Sequence, residues 1–290
     1  MKIFALADLH LGNQVGKSMH KFGPKWENHE QRIADNLAKV ATDEDILLLA
    51  GDLSWALHLS EAEKDMRYIA SLPGRKILLR GNHDYWWTTI SKVQHALQNW
   101  GLAEQIFLLQ NNAIRISAQG ELSGIGTGFT SNKQTAQAKR NSLKEKRVND
   151  ACVADTNPAS TATKPGIVIA GTRGWKRPDD NSWKQSEDLR ILNREEQRLT
   201  SSLELARALK QPGDLLVAML HYPPFGKNLL PTSYTNLLSD YGVKRCVFGH
   251  IHSPGPQVVH NLALNGVNYD IVACDQVNCE PLLLYDSCAP

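Results

Sequence analysis

Long apolar runs are absent from this sequence. No stretch approaches the roughly 20 apolar residues that a membrane-spanning helix needs, so we expect no membrane partner. The opening segment, MKIFALADLHLG, has a short apolar run that Asp8 and His10 interrupt, and no small-residue cleavage site follows it. The segment therefore predicts a strand and not a signal peptide.

Paired cysteine motifs and an excess of one charge are also absent. The five cysteines are odd in number, widely scattered and without Cys-x-x-Cys spacing. This pattern argues against a disulfide framework and a zinc ribbon, and we expect a reducing, cytoplasmic location. Lysines and arginines total 32 against 30 acidic residues, so no global field attracts nucleic acid, which is not the expected partner.

The sequence does contain a series of short apolar runs that each end in polar residues. With 290 residues, 42% of them hydrophobic, the chain has ample material for a core, and we expect one domain over 1–290. Continuous apolarity predicts strands that are covered on both faces. The runs are KIFALAD, DILLLAGD, KILLRGNHD, GIVIAGTRG, DLLVAMLH and RCVFGH.

Helical patterns separate these runs. The second of them begins with Ser60-x-x-Glu63, which resembles a capping box. Alternating strands and helices predict a layered α/β fold, in which ligands bind beyond the carboxyl ends of the strands. The predicted helices cover 27–41, about 60–72, 88–100, 186–210 and 232–241.

Two regions differ from this alternation. From 118 to 164 the chain is rich in Ser, Thr, Ala, Asn and Lys. This composition predicts a flexible surface insertion, with a basic lid or docking arm as the alternative. From 257 to 285, the segments QVVH, NYDIVAC and PLLLY predict antiparallel strands.

The polar residues at the strand ends form a candidate metal site. Asp8 and His10 are two residues apart, a spacing that puts both side chains on one face of an extended strand. Two aspartates, one amide oxygen and four histidines suit Mn, Fe, Zn, Co or Ni. The other five candidate ligands are Asp52, Asn82, His221, His250 and His252.

Seven ligands exceed the four of a tetrahedral site, and a carboxylate can bridge two cations. The sequence therefore predicts two divalent or trivalent transition metal ions, with Mn, Fe and Zn as the first candidates. Two adjacent cations lower the pKa of a bound water and so supply a nucleophile.

The order of these motifs resembles that of the calcineurin-like metallophosphoesterase superfamily. Asp-x-His, Gly-Asp, Gly-Asn-His-Asp, His and Gly-His-x-His follow one another between residues 1 and about 252. FGPKWENHE, GNHDYWW, GTRGW and LHYPPF further resemble a subgroup of predicted bacterial phosphohydrolases. The resemblance implies a four-layer α/β/β/α sandwich with mixed sheets, a metal site at the strand carboxyl ends, and phosphoester hydrolysis by a metal-bridging hydroxide. It implies no particular substrate.

The resemblance also implies how the seven ligands divide. Asp52 bridges the two ions, and His83 remains free to give a proton to the leaving group. One ion takes Asp8, His10, Asp52 and His252, and the other takes Asp52, Asn82, His221 and His250.

Two further residues are candidate catalytic residues. Asp84 either orients an imidazole ring or caps the helix that YWWTTISKV predicts. Arg173 in GTRGW either binds phosphate oxygens or pairs with a carboxylate on a neighbouring loop. His29 in WENHE is a candidate either for a second layer around the ligands or for a pocket. Five aromatic residues near the strand ends either pack or line an apolar pocket for a nucleoside or aryl group: Trp26, Trp55, Tyr85, Trp86 and Trp175.

One departure narrows the expected substrate. The Ser/Thr protein phosphatases of this superfamily resemble one another in Gly-Asp-x-Val-Asp-Arg-Gly, where this chain reads GDLSWAL. A small-molecule phosphodiester or phosphomonoester is therefore favoured, and the sequence does not choose between them. The alternatives are a nuclease with a basic groove supplied by the insertion, and a catalytically silent, metal-stabilised binding scaffold. A free His83 argues against the scaffold.

Overall fold

The six apolar runs form strands in the structure, a computed structural model that describes residues 1–12, 14–126 and 164–288. The strands of these ranges are β1 Lys2–Leu6, β2 Ile46–Leu49, β3 Arg75–Leu79, β4 Ile106–Leu109, β5 Asn112–Ile116, β6 Leu122–Gly126, β7 Ile167–Thr172, β8 Leu215–Leu220, β9 Arg245–Phe248, β10 Leu262–Leu264, β11 Val267–Ile271 and β12 Leu282–Asp286. The α-helices are α1 His29–Val40, α2 Glu63–Ser71, α3 Ile90–Asn99, α4 Gln185–Leu209 and α5 Ser233–Asp240.

The strands form two mixed sheets. The first has the order β12-β1-β2-β3-β4, in which β1 to β4 are parallel and β12 is antiparallel to β1. The second has the order β10-β11-β9-β8-β7-β5-β6, with a parallel centre from β11 to β7 and antiparallel pairings at both ends. Both sheets are mixed, as the resemblance implied.

Strand alternation divides the buried side chains into three clusters and so creates four layers. Ile3 and Ala5 of β1 point towards the second sheet and pack there with Ile169 and Val217. The other face of the first sheet packs on α1, α2 and α3. The outer face of the second sheet packs on α4 and α5. The observed order is helix, sheet, sheet, helix.

Several strands differ from the sequence expectations. β4 and β5 have no predicted counterpart, and β6 lies inside the range predicted as an insertion, where it pairs with β5. QVVH forms no strand, whereas β10 forms in the following segment, which was expected only to join strands. β11 runs parallel to β9, so the expected antiparallel tail holds only in part. The rest of the predicted insertion, 127–163, lies outside the described residues.

The carboxyl ends of the central strands meet at one edge of the sandwich. After β1, the Asp8 N–H donates to the Gly51 carbonyl at 2.9 Å, and the His10 N–H donates to the Asp52 carbonyl at 2.9 Å. After β9, the Gly249 N–H donates to the His221 carbonyl at 3.0 Å. These bonds tie together the loops that carry the candidate ligands.

Membrane-spanning helices were not expected from the sequence. Within the described ranges, no helix combines the length and apolarity needed to cross a bilayer.

The packing of α4 on the second sheet provides a test of the layer assignment. Leu203 is fully buried in the cluster between α4 and that sheet. Leu203→Ala is expected to lower the free energy of unfolding by about 2–5 kcal/mol because it leaves a cavity. The adjacent Glu204 is exposed, and Glu204→Ala should change it by less than about 0.5 kcal/mol. Equal effects in urea unfolding would contradict the assignment.

Candidate metal centre

Three predicted ligands from the loops after β1 and β9 form a first candidate metal group. Asp8, His10 and His252 each offer one atom, and these atoms lie within 4.8 Å of one another. His10 Nε2 is 3.2 Å from His252 Nε2 and 4.0 Å from Asp8 Oδ1. Two imidazole nitrogens and a carboxylate oxygen therefore face the same small volume.

A second group of three forms beside the first. Asp52, His221 and His250 also offer atoms within 4.8 Å of one another. The Asn82 side-chain oxygen is 2.7 Å from His221 Nε2, which brings the predicted amide ligand to this group. His221 Nδ1 lies 3.0 Å from the Ala50 carbonyl, and a hydrogen bond there directs Nε2 towards the other ligands. The seven predicted ligands thus lie in two adjacent groups.

Asp52 lies between the two groups. Its Oδ1 accepts the His83 backbone N–H at 2.7 Å. Its Oδ2 is 3.4 Å from His221 Nε2 and 3.8 Å from His10 Nε2. Among the described residues this buried Oδ2 has no hydrogen-bond partner, and neither has His10 Nδ1. A carboxylate oxygen left unpaired between two imidazoles suits a cation on either side of it.

The ligands adopt an unusual backbone conformation. Asp8, His10, Asp52 and His250 have φ values of 58°, 46°, 52° and 74°. Non-glycine residues seldom occupy this left-handed region, and such strain concentrates at functional sites. The expectation that Asp8 and His10 share a face of an extended strand was therefore wrong in its premise, because the strand ends at Leu6 and the loop brings the two side chains together.

Burial shifts the pKa values of these groups. Burial raises the pKa of Asp8 to about 7, with Asp52 adding to the shift while His252 and His221 oppose it. Burial lowers the pKa of His10, and lowers that of His250 to about 3, which keeps both rings neutral and available as ligands. Burial opposes ionisation of Asp52, but His221 holds the pKa of that carboxyl below its usual range. The donor set fits two adjacent cations, which would offset the buried negative charge.

Asp84 holds two ligand loops together. Its fully buried carboxylate accepts the backbone N–H groups of Gly81 at 2.7 Å, Leu53 at 2.9 Å and Ser54 at 3.2 Å, and the Trp86 indole N–H at 3.0 Å. None of these partners is an imidazole. The helix-cap alternative is wrong, because α3 begins at Ile90 and Thr89 caps it.

His83 lies beside the two groups with its ring half-buried. The ring centroid is 4.7 Å from that of Trp55 and 5.6 Å from that of His10. Burial lowers the pKa of His83, and Asp52 opposes that shift. The ring is thus held next to the candidate ligands by packing and by the backbone bond to Asp52.

Two residues hydrogen-bond to a candidate ligand or to the loop that carries candidate ligands. His29 Nε2 lies 2.9 Å from the Leu9 carbonyl, between two ligand residues, as its second-layer candidacy suggested. Asp275 Oδ1 is 2.9 Å from His252 Nδ1 and orients that ring. Sequence reasoning missed Asp275, which directly follows the predicted strand segment NYDIVAC and belongs to none of the motifs that were singled out.

Arg173 lies beside a carboxylate and an aromatic ring. Arg173 Nη2 is 3.8 Å from Glu195 Oε1, and the guanidinium lies 4.7 Å from the centre of the Trp175 ring.

Trp26 and Trp55 pack around His10. Trp86 is fully buried in the core, which agrees with the packing alternative for this residue. The exposed Tyr85 and the half-buried Trp175 remain at the surface.

The fold and the two donor groups define a layered α/β protein with two adjacent candidate cation sites. The family model of calcineurin-like phosphoesterases matches residues 1–254. The chain belongs to this family. No curated protein matches the sequence.

Several solved structures are similar to this chain at low identity. A protein of unknown function from Aquifex aeolicus is 15% identical with a TM-score of 0.42, covering 97% of this chain and 95% of its own. The phosphopantetheinyl hydrolase of Mycobacterium tuberculosis is 13% identical with a TM-score of 0.46, and the match covers 100% of this chain and 98% of the hydrolase. TT1561 of Thermus thermophilus is 12% identical with a TM-score of 0.44, and the match covers 86% of this chain and 80% of TT1561.

The close approach of Gly249 to Asp8 provides a test of the centre. A Cβ at Gly249 would lie 2.1 Å from Asp8 Oδ2, whereas a Cβ at Gly255 would meet nothing within 4 Å. Gly249→Ala should displace the Asp8 carboxylate, cost about 1–3 kcal/mol of stability, and reduce the metal retained after gel filtration. Gly255→Ala is the matched control and should behave as wild type. Equal metal content in both variants would contradict the role of Asp8.

Proposed function

We propose that this protein is a metal-dependent phosphoesterase that hydrolyses a small-molecule phosphodiester or phosphomonoester. The observation that carries the proposal is the unpaired, buried Asp52 Oδ2 between His221 and His10, which joins two groups of candidate ligands within the described part of the chain. Membership of the calcineurin-like phosphoesterase family supports the reaction class.

We assign the two sites to Mn, Fe or Zn, because the donors combine imidazole nitrogens with carboxylate and amide oxygens. Asp8, His10 and His252 would hold one ion, His221, His250 and Asn82 the other, and Asp52 both. When bound, such ions supply Lewis-acid activation of water and positive charge for the phosphate oxygens.

His83 would give the proton to the leaving group. Its backbone N–H donates to Asp52 Oδ1, which keeps the residue beside the centre. Its ring rests on Trp55 and is only partly covered, so an ester that enters from solvent can reach it. Asp84 contributes by accepting hydrogen bonds from the Gly81 and Leu53 N–H groups, which holds the two loops together.

The cytoplasm is our proposed location for this reaction. Within the described part of the chain, Cys246, Cys274, Cys279 and Cys288 are free thiols, as a reducing compartment favours.

His83→Ala tests the proton-donor role. The backbone bond to Asp52 survives this truncation, so metal content should stay at the wild-type level. The variant should hydrolyse glycerol 2-phosphate about 10²- to 10⁴-fold more slowly. Hydrolysis of p-nitrophenyl phosphate should fall less, because p-nitrophenolate leaves without prior protonation. Phosphate release measures both reactions, and bis-p-nitrophenyl phosphate reports diester cleavage.

His95→Ala is the matched control, because His95 is an exposed histidine on α3. It should keep wild-type rates on all three esters. Equal slowing of both monoesters by His83→Ala would contradict the proton-donor role. A wild-type protein that hydrolyses none of the esters with Mn, Fe or Zn would overturn the phosphoesterase proposal and favour the silent scaffold.

A further inference from the structure

A cavity opens at the same edge of the sandwich as the candidate metal centre. Its volume is about 450 Å³. Its walls come from the ends of β3, β4 and β7, from the start of α3 and from the middle of α4. None of the seven candidate metal ligands lines it. The cavity is therefore a neighbour of the metal centre and not part of it.

The lining of this cavity is strongly basic. Arg80, Arg173, Arg194 and Arg198 contribute four positive charges, and Glu195 is the one carboxylate among the described lining residues. The surplus is three positive charges. We call this site the arginine cavity.

Glu195 makes a close hydrogen bond with only one of these arginine side chains. Its Oε1 accepts Arg198 Nη1 at 2.6 Å, and its Oε2 accepts the Thr172 hydroxyl at 2.7 Å. Arg173 and Arg194 stay 3.8 Å and 3.7 Å from Oε1, beyond the about 2.7–2.9 Å of a charge-assisted hydrogen bond. One buried carboxylate is therefore shared among three guanidinium groups.

Arg80 and Arg173 carry buried donors without partners. Among the described residues, the Nε atoms of both side chains have no hydrogen-bond acceptor. Burial lowers the pKa of Arg80, and the charges of Arg173 and Arg198 act in the same direction, while Asp84 and Glu195 oppose them. Asp84 already accepts three backbone N–H groups and an indole N–H. The described lining of the cavity thus leaves room for a further negatively charged acceptor.

The start of α3 adds to this positive region. Thr88, Thr89 and Ile90 line the cavity, and α3 begins at Ile90 with Thr89 as its cap. Backbone N–H groups at a helix start favour an anion. This feature supports the arginines and is not the basis of the site.

The size of the charge surplus selects the anion. A carboxylate has one negative charge and two acceptor oxygens. A phosphate group carries about −1.5 to −2 charges and three strong acceptor oxygens, which match several guanidinium forks at once. Of these two anions, phosphate comes closer to neutralising the cavity.

We propose that the arginine cavity binds a second phosphate group of the substrate, so that the physiological substrate is a phosphoester that carries another phosphate. The inference rests on the proposed function, because the ester that is cleaved must lie at the metal centre. Arg173, which lies 3.8 Å from Glu195, lines this cavity, and no candidate metal ligand does.

The first experiment measures anion binding by titration calorimetry on the full chain, stripped of metal and checked by circular dichroism to be folded. Inorganic phosphate should bind, and acetate should not bind measurably. Arg80→Gln and Arg194→Gln should each weaken phosphate binding by about tenfold or more. Arg190, an exposed arginine on α4 outside the cavity, is the matched control, and Arg190→Gln should bind as wild type.

The second experiment uses the metal-loaded protein and needs no metal-free fold. It compares the p-nitrophenyl ester of thymidine 5′-phosphate with the same ester carrying a 3′-phosphate. Wild type should release p-nitrophenolate with a kcat/KM about tenfold or more higher for the ester with the second phosphate. Arg194→Gln should move the ratio towards one, and Arg190→Gln should leave it unchanged.

The outcomes separate this inference from the proposed function. No hydrolysis of either nucleotide ester or of the three esters tested above would refute the proposed function, whereas equal kcat/KM for the two nucleotide esters would refute only the second phosphate. Phosphate binding with a ratio of one would mean an adventitious ion only. Equal binding of acetate, or equal loss in the Arg190→Gln control, would also overturn the inference.

Discussion

The burial of two carboxylates side by side is the constraint on which this structure depends. Asp8 and Asp52 are almost completely buried, and among the described residues each has imidazole nitrogens within 4.0 Å but no lysine or arginine nitrogen. An uncompensated buried charge costs several kcal/mol, so the pair requires hydrogen-bond donors, protons or positive charge close to it. The loops, the glycines and the second-layer residues are all arranged around that requirement.

Close packing of the ligand loops follows from this constraint. Gly81 and Gly249 lie where a Cβ would come within 2.2 Å of Asp52 or Asp8, so the chain can approach these carboxylates only without a side chain. Asp84 then bonds the loop after β3 to the loop after β2 through backbone N–H groups. The left-handed conformations of four ligands are held by these contacts, since strain of this kind persists only where its surroundings enforce it.

Six strands and the convergence of the candidate ligands were predictable, because short apolar runs that end in Asp, Asn or His mark both a strand and the side chains at its end. The conformation around Asp8 and His10 was not, since left-handed φ values follow from tertiary contacts. The role of Asp84 was hidden for the same reason, because its partners are backbone groups of another loop. β4 and β5 were missed although IFLL is a short apolar run like those that were singled out, and β6 was missed because the composition beyond residue 118 resembles a linker.

The arginine cavity shows how one edge of the sandwich can hold two sites with different side-chain chemistry. Arg80 precedes Asn82 by two residues, and the Arg173 carbonyl accepts the His221 N–H at 3.2 Å, so the same strand ends supply both. The carboxylate and imidazole groups lie at the candidate metal centre, and the surplus of guanidinium groups lies in the arginine cavity. A substrate with two phosphates would place one negative group against each positive region. Preorganised positive groups of this kind need little reordering on binding, so the energy of the second contact adds to that of the first.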